Sequence, residues 1–131
     1  MIFWRKKENS PGELGEKLAA KHLKKKGYRI LEFNFSNTQG RRLGEIDVIA
    51  KDGNSIVFVE VKTRMVRPGE VVVPEENIDR RKLHKLEKIA NFYLRKNKLT
   101  ESDYRFDAVS VWLDEERRCE KIKHLESIFI E

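Results

Sequence analysis

The sequence contains a single cysteine, Cys119, so the chain cannot form a disulfide bond within itself. A lone cysteine is typical of proteins that stay in a reducing interior. A secretory signal is also lacking, because Met1–Trp4 is followed at once by the charged residues Arg5–Glu8, which leaves no room for an apolar signal core. No apolar run approaches the roughly 20 residues that a membrane span needs. These absences predict a cytoplasmic protein without a membrane partner.

Internal repeats and low-complexity tracts are missing as well. The length of 131 residues is sufficient for one well-packed domain and too short for two. We therefore expect one domain over residues 1–131, with residues 1–10 forming a flexible N-terminal segment.

Positive charge is in excess, since 28 Lys and Arg against 22 Asp and Glu give a formal net charge of +6. Such an excess favours a polyanionic partner, although charge dispersed for solubility explains it equally well. The placement of the charge is more informative than its amount, because basic residues flank the segment between Gly44 and Arg64. They include Arg41, Arg42, Arg64 and Arg67, and a second group on a later predicted helix, Arg80, Arg81, Lys82, Lys85 and Lys88.

The segment Gly44–Arg64 carries the most informative pattern of the chain. Two apolar stretches flank the turn Lys51–Asn54, whose Asp-Gly pair is typical of a hairpin between antiparallel strands. Asp47 lies on the first strand, and Glu60 and Lys62 share one face of the second because side chains alternate along a strand. Two carboxylates can hold Mg²⁺ beside a phosphodiester, while an ammonium stabilises charge on the phosphate or orients the attacking water.

The spacing of Glu60 and Lys62 is weak when taken alone, since an acid-x-lysine pattern occurs by chance about once in a chain of this length. A half-exposed strand with a solvated polar face explains it as well. The surrounding residues favour the functional interpretation, because both stretches are apolar on both sides, as in central strands buried on two faces. Charged side chains are avoided there unless they are paired or bind a metal. We therefore predict a metal site on this hairpin.

A first helix is predicted from Ser10–Gly12 to Lys26, with Gly27 as its C-terminal cap. On a helical wheel Glu16 falls within the apolar arc, whereas Glu13 falls toward the lysines. Glu16 is therefore the carboxylate that this helix presents to a sheet, although a boundary glutamate with its head in solvent is an equal alternative.

The remaining elements complete an alternation of helices and strands. The order α-β-β-β-α-β-β predicts an α/β sandwich with a central mixed β-sheet flanked by helices. The segment Val66–Glu76 contains two prolines and is predicted to be a mobile connection. The other predicted elements are strands at Tyr28–Phe35, Arg105–Leu113 and Glu120–Ile130 and a second helix from Ile78 or Asp79 to about Asn97.

Three further sets of polar residues have competing interpretations. Glu45 shares a face with Asp47 and is either a second metal ligand or a strand-edge carboxylate. Asp107 lies between apolar residues of a strand and is expected to pair with an arginine near the proposed site, because a buried carboxylate needs a partner. The histidines, His22, His84 and His124, show no metal-ligand spacing.

Several motifs of the chain occur together in one known family. They are Gly12-x-x-Gly15-Glu16-x-x-Ala19, Lys26-Gly27-Tyr28, Asn34-Phe35, Gly44-Glu45-Ile46-Asp47, Val57–Arg64, Asp79-Arg80-Arg81-Lys82 and Arg105-Phe106-Asp107. In these motifs the chain resembles the YraN-like bacterial proteins of unknown function from residue 12 to about residue 113. That family is similar, more distantly, to archaeal Holliday junction resolvases and restriction-endonuclease-like nucleases.

The resemblance implies a restriction-endonuclease-like fold and a metal-dependent endonuclease activity. Carried over to this sequence, Asp47 and Glu60 match the metal carboxylates, Lys62 the catalytic lysine and Glu16 the helix glutamate. With the backbone carbonyl of Val61, these carboxylates would hold one or two Mg²⁺ or Mn²⁺ ions.

The implied substrate is structured or branched DNA, which Arg64, Arg80, Arg81 and Lys82 would contact. Cleavage should not depend on sequence, because no target-recognition insert is evident. Ile46 stands where a proline often precedes the aspartate, and this departure removes no ligand. Two alternatives remain: a non-catalytic nucleic-acid-binding protein with the same fold, and RNA as the substrate.

Junction-cleaving relatives act as symmetric dimers, so the resemblance also implies a possible homodimer. The sequence itself shows no heptad seam that would encode the interface. Its best candidate contact is the Val71–Val73 run within Val66–Glu76, which is too apolar to be left in water.

Overall fold

The computed structural model describes residues 10–37, 40–70 and 80–128. Two helices and five strands follow one another in the predicted order α-β-β-β-α-β-β, so the predicted α/β fold is confirmed. The elements are α1 (Pro11–Lys25), β1 (Arg29–Phe35), β2 (Ile46–Asp52), β3 (Ser55–Met65), α2 (Arg80–Lys96), β4 (Tyr104–Leu113) and β5 (Cys119–Leu125).

Most bounds agree with the sequence-based ones to within two residues, and β5 is the exception. It ends at Leu125 instead of extending to Ile130, although the Ile128 N–H still bonds the Phe106 carbonyl at 2.7 Å. The expectation of a flexible segment concerns mainly residues 1–9, which lie outside the described residues, and so do Val71–Val73.

The five strands form one mixed sheet in the spatial order β1-β2-β3-β4-β5. β1, β2 and β3 form an antiparallel meander, β3 and β4 are parallel, and β4 and β5 are antiparallel. The parallel pair needs a crossover connection, because parallel strands cannot be joined by a tight turn. α2 lies in this connection between β3 and β4.

α1 begins at a well-formed cap. The Ser10 hydroxyl accepts a hydrogen bond from the Glu13 N–H at 3.2 Å, and Pro11 takes the first helical position, where its missing N–H costs nothing. After the helix, Gly27 adopts φ +93°, a left-handed conformation that glycine permits at little cost. The chain can therefore turn directly from α1 into the edge strand β1.

The sheet is buried on both faces by two separate apolar clusters. On one face Val57 and Val59 of β3 pack with α1 residues such as Leu23, and on the other Ile56 and Phe58 pack with α2 residues. Each such fully buried side chain contributes roughly 1.5–3 kcal/mol to stability. The prediction that the hairpin strands are buried on both faces is therefore confirmed for β3, and the molecule is an α/β sandwich.

α1 approaches β3 unusually closely at one point. A Cβ atom at Gly15 would lie within 2.9 Å of Thr63 Cβ and closer still to Thr63 Oγ1, so only glycine fits there. This contact sets the height of α1 above the sheet and carries the next residue, Glu16, to the sheet end where β2 begins.

The edge strand β1 departs from regular geometry twice near the same end. Its pairing with β2 shifts by one residue between Ile30 and Glu32, which places one extra residue in β1, as in a β-bulge. Asn34 then adopts φ +51°, a conformation that asparagine tolerates better than most residues. Together these irregularities determine which β1 side chains reach Glu16.

Candidate metal centre

Asp47 and Glu60 lie side by side on the central hairpin. β2 and β3 pair as far as Val48, which lies opposite Val59. Continuing the same register by one residue places Asp47 next to Glu60. The Asp47 carboxylate accepts a hydrogen bond from the Val61 N–H at 2.8 Å. At the start of β2, the Val61 N–H therefore bonds the side chain of Asp47 and not a backbone carbonyl of that strand.

Three carboxylates converge at this point. Glu16 of α1, Glu45 and Asp47 each place one carboxylate oxygen within 4.8 Å of the others. The structure therefore brings together two of the predicted site residues, Glu16 and Asp47. Glu45, for which the sequence left two interpretations, joins them while also pairing with Arg42 at 3.1 Å on the exposed side.

Glu60 lies beside this cluster in a different environment. Its side chain is only 3% exposed, and one carboxylate oxygen, Oε1, pairs with Lys82 Nζ from the start of α2. The other oxygen, Oε2, is buried and has no hydrogen-bond partner among the described residues. An unpartnered buried carboxylate oxygen costs free energy, so this atom is one that a bound cation would satisfy.

Burial and neighbouring carboxylates raise the pKa values of Asp47 and Glu16. Burial raises the pKa of Asp47 to about 6; the nearby Glu16 and Glu60 carboxylates raise it further, and the Val61 N–H and Lys82 oppose the shift. Burial also raises the pKa of Glu16, with a contribution from Glu45, while a side-chain hydrogen bond to Asn34 opposes the rise. Such shifts show that the ionised carboxylates are poorly compensated by this chain alone.

The donor set fits a hard divalent cation. Carboxylate oxygens are the ligands that Mg²⁺ and Mn²⁺ prefer, and Asp47, Glu16, Glu45 and Glu60 supply them within one region. The unpartnered Glu60 oxygen and the buried Asp47 carboxylate, whose pKa burial raises, are the two groups that a bound cation would stabilise most.

Lys62 follows Glu60 by two residues on β3. It is half-buried and lies opposite Ser110 of β4 in the parallel register. Alternation along the strand places it on the face of Glu60, with the two Cα atoms about 6.6 Å apart.

The predicted nucleic-acid contacts lie on two elements. Arg64 is exposed near the end of β3, and Arg80 and Arg81 are exposed at the start of α2. Lys82 has a contact that the sequence did not predict, since its Nζ pairs with Glu60, and this hydrogen bond raises the Lys82 pKa. The first turn of α2 contains no acidic residue. Its positive side chains are therefore unfavourable beside the positive end of the helix dipole unless an anion is nearby.

Asp107 belongs to a second polar cluster. It is fully buried and binds Arg105 at 3.1 Å, His124 at 2.7 Å and the Ser127 N–H at 2.9 Å. Burial acts to raise the Asp107 pKa, but these partners outweigh it and hold the pKa below its ordinary value. The predicted pairing with an arginine is confirmed.

This second cluster extends to the turn end of β2. Arg105 also bonds Asp52, at the turn end of β2, whereas Asp47 lies near the opposite end of the same strand. His124 was missed because nothing in the spacing of a single histidine on an edge strand indicates its partner.

No helix in the described ranges is long and apolar enough to cross a membrane.

Comparison with known proteins gives consistent matches. A model of the uncharacterised protein family UPF0102 matches residues 15–111. A UPF0102 protein of Caldanaerobacter subterraneus is 44% identical over 120 residues, covering 90% of this chain and 93% of the relative. A Syntrophus aciditrophicus relative is also 44% identical, covering 94% and 93%, and one from Porphyromonas gingivalis is 38% identical, covering 92% and 84%.

Proposed function

The chain belongs to the uncharacterised protein family UPF0102, and from its carboxylate cluster we propose that it is a metal-dependent endonuclease that hydrolyses phosphodiester bonds of DNA. The observation that carries the proposal is the convergence of Glu16, Glu45 and Asp47 within 4.8 Å, beside the unpartnered oxygen of Glu60. A protein that only binds DNA has no need to gather carboxylates, because they repel phosphate.

The proposed site contains metal ligands and one lysine that acts on the water and the phosphate. Asp47, Glu60 and Glu16, with the Val61 carbonyl, would hold one or two Mg²⁺ or Mn²⁺ ions. The chemistry supplied by the bound ion is Lewis-acid polarisation of the phosphate and activation of water. Lys62 orients the attacking water and stabilises charge on the phosphate while a P–O bond forms to water and the bond to the leaving oxygen breaks.

The substrate is held mainly through its backbone. Arg64, Arg80 and Arg81 are exposed cations that pair with phosphates, which gives binding without sequence preference. Structured or branched DNA is the proposed substrate class, by analogy with the distant nuclease relatives.

A homodimer remains a prediction, which light scattering with and without branched DNA will test. We place the activity in the cytoplasm, where the exposed thiol of Cys119 stays reduced.

The proposal is tested with plasmid, single-stranded and branched DNA and with RNA, each in Mg²⁺, Mn²⁺ or EDTA. We expect cleavage of DNA that requires the metal and is abolished in Asp47→Ala, Glu60→Ala and Lys62→Ala. Glu120→Ala, which removes an exposed strand carboxylate of β5, serves as the matched control and should cut normally. Cleavage that survives Asp47→Ala, or that persists in EDTA, refutes this assignment of the site.

One observation favours the alternative of a non-catalytic nucleic-acid-binding protein. Lys82 already pairs with Glu60, so part of the negative charge is neutralised without a metal. Calorimetric titration with Mg²⁺ and Mn²⁺ separates the two functions. A nuclease binds the metal in the wild type, more tightly in Lys82→Met and not in Asp47→Ala, whereas a pure binding protein takes up no metal in any of the three.

A further inference from the structure

A groove borders the candidate metal centre on its α1 side. It has a volume of about 420 Å³ and is lined by Glu13, Glu16 and Lys17 of α1 and by Phe33 and Asn34 of β1. Glu16 belongs both to this groove and to the carboxylate cluster, so the two sites share a wall. A volume of this size lies within the range of ordinary small-ligand pockets.

Phe33 is the unusual member of the lining. Its side chain is 43% exposed, although it lies on a strand beside a helix that buries other apolar residues. The one-residue shift in β1 pairs Phe33 with Val48, and antiparallel partners share a face, so Phe33 lies on the face that α1 covers. Phe33 is thus an exposed aromatic ring on the edge strand beside Glu16.

An exposed ring beside a phosphodiester-cleaving site has a specific use. Aromatic side chains bind nucleobases by stacking, and every base offers a suitable face whatever the sequence. Lys17 supplies a positive charge at the same groove for a neighbouring phosphate. A base within a regular duplex is already stacked on its neighbours, so it reaches such a ring only when it is unpaired or flipped out.

We propose that Phe33 and this groove bind one unpaired nucleobase next to the scissile phosphate, and that the substrate is DNA containing an unpaired nucleotide. The inference rests on the proposed function, because it names the substrate class of the same site. It explains why an apolar ring remains in water at this position, and it gives specificity for DNA structure without any contact that reads sequence.

Binding is measured separately from cleavage. Fluorescence anisotropy in Ca²⁺ and in EDTA compares a labelled single strand, a fork with unpaired arms and the fully paired duplex of the same sequence. Phe33→Leu keeps an apolar side chain but removes the ring, and Phe33→Trp restores an aromatic face. Tyr104→Leu is the matched control, because Tyr104 is a similarly exposed aromatic residue, 42% exposed, at the other end of the sheet.

We expect Phe33→Leu to weaken binding of the single strand and the fork by about 5-fold to 150-fold, the range that corresponds to the loss of one base–aromatic stack. Phe33→Trp should bind like the wild type, and Tyr104→Leu should change nothing. Duplex affinity should be the same in all four proteins. An unchanged affinity in Phe33→Leu, an equal loss for the duplex, or a failure of Phe33→Trp to restore binding overturns the inference.

Cleavage of the same oligonucleotides in Mg²⁺ distinguishes this inference from the proposed function. If binding depends on Phe33 but no substrate is cut, the stacking site is supported and the nuclease assignment fails. If substrates are cut by Asp47-dependent chemistry but binding ignores Phe33, the nuclease stands and the stacking site is overturned.

Discussion

Replacing Asp47 by asparagine should stabilise the metal-free protein at neutral pH. Asparagine has nearly the same shape, and its side-chain oxygen can still accept the hydrogen bond that the Val61 N–H donates at 2.8 Å. What it removes is a negative charge that burial and two neighbouring carboxylates, Glu16 and Glu60, disfavour. The substitution should therefore gain stability while it destroys the proposed metal site.

The size and sign of the effect follow from the Asp47 pKa. It is about 6 in the folded protein against an ordinary value of 3.8, so the folded state binds this proton more tightly than the unfolded chain. The contribution of Asp47 to stability is therefore most favourable below about pH 4 and is lost as the pH rises through 6. At about 1.4 kcal/mol for each pH unit, the cost of ionised Asp47 at neutral pH reaches about 3 kcal/mol.

Thermal unfolding in EDTA between pH 4 and pH 8 measures this. At pH 7.5 Asp47→Asn should melt roughly 10 °C above the wild type, and the gap should close toward pH 4. Asp114→Asn is the control of opposite sign, because hydrogen bonds from the Arg118 N–H and side chain and the Glu116 N–H lower the Asp114 pKa. An Asp47→Asn protein that is less stable at pH 7.5, or a gap independent of pH, would refute the reasoning.

Mg²⁺ should stabilise the wild type more than Asp47→Asn, which is opposite to the order expected in EDTA. A ligand that binds only the folded state stabilises it by about 2.7 kcal/mol at 100 times its dissociation constant. The wild type should therefore gain thermal stability with Mg²⁺, and Asp47→Asn should gain little. Equal gains in both proteins would place the metal elsewhere.

Three further predictions concern other parts of the molecule. Gly15→Ala places a methyl group against Thr63 and should lower the free energy of unfolding by about 1–3 kcal/mol in denaturant titrations, with weaker metal binding because α1 must move. Asp107→Asn leaves the partly buried Arg105 poorly paired and should cost about 3–5 kcal/mol at pH 7 and less as the pH falls through the lowered Asp107 pKa, which unfolding at several pH values will show. Reversing the charges of Arg80 and Arg81 should weaken DNA binding equally for all sequences and reduce its salt dependence, with anisotropy at increasing NaCl as the measurement.

Local patterns were sufficient to predict the central hairpin. The apolar runs of β2 and β3 and the Asp-Gly turn, where Gly53 adopts φ +58°, each act over a few residues, so they are visible in the sequence. The same is true of the capped start of α1 and of the buried stripe on α2. The helical wheel also distinguished Glu16 from Glu13, because one turn of periodicity is enough for that, but it left a solvent-facing glutamate as an equal alternative until the structure brought Glu16 next to Asp47.

Contacts between distant residues could not be predicted in this way. The pairing of Lys82 with Glu60 depends on how α2 lies on the sheet, and the bond between His124 and Asp107 depends on the register of β5 against β4. The position of Glu45 in the cluster depends on where the pairing between β2 and β3 ends. Each is a consequence of tertiary packing, which no local period encodes.

The extra residue in β1 has a consequence for how this protein can change over time. Side chains alternate between the faces of a sheet, so deleting the extra residue would restore regular alternation and leave Phe33 opposite Val48, whereas inserting one residue between Glu32 and Phe33 would turn Phe33 toward the α2 face. Asp47 and Glu60 lie on other strands and would keep their places. A single inserted residue in an edge strand would therefore exchange the side chains beside the carboxylates while the carboxylates persist. Substrate preference and metal binding can thus diverge separately, through changes of strand length as readily as through substitutions.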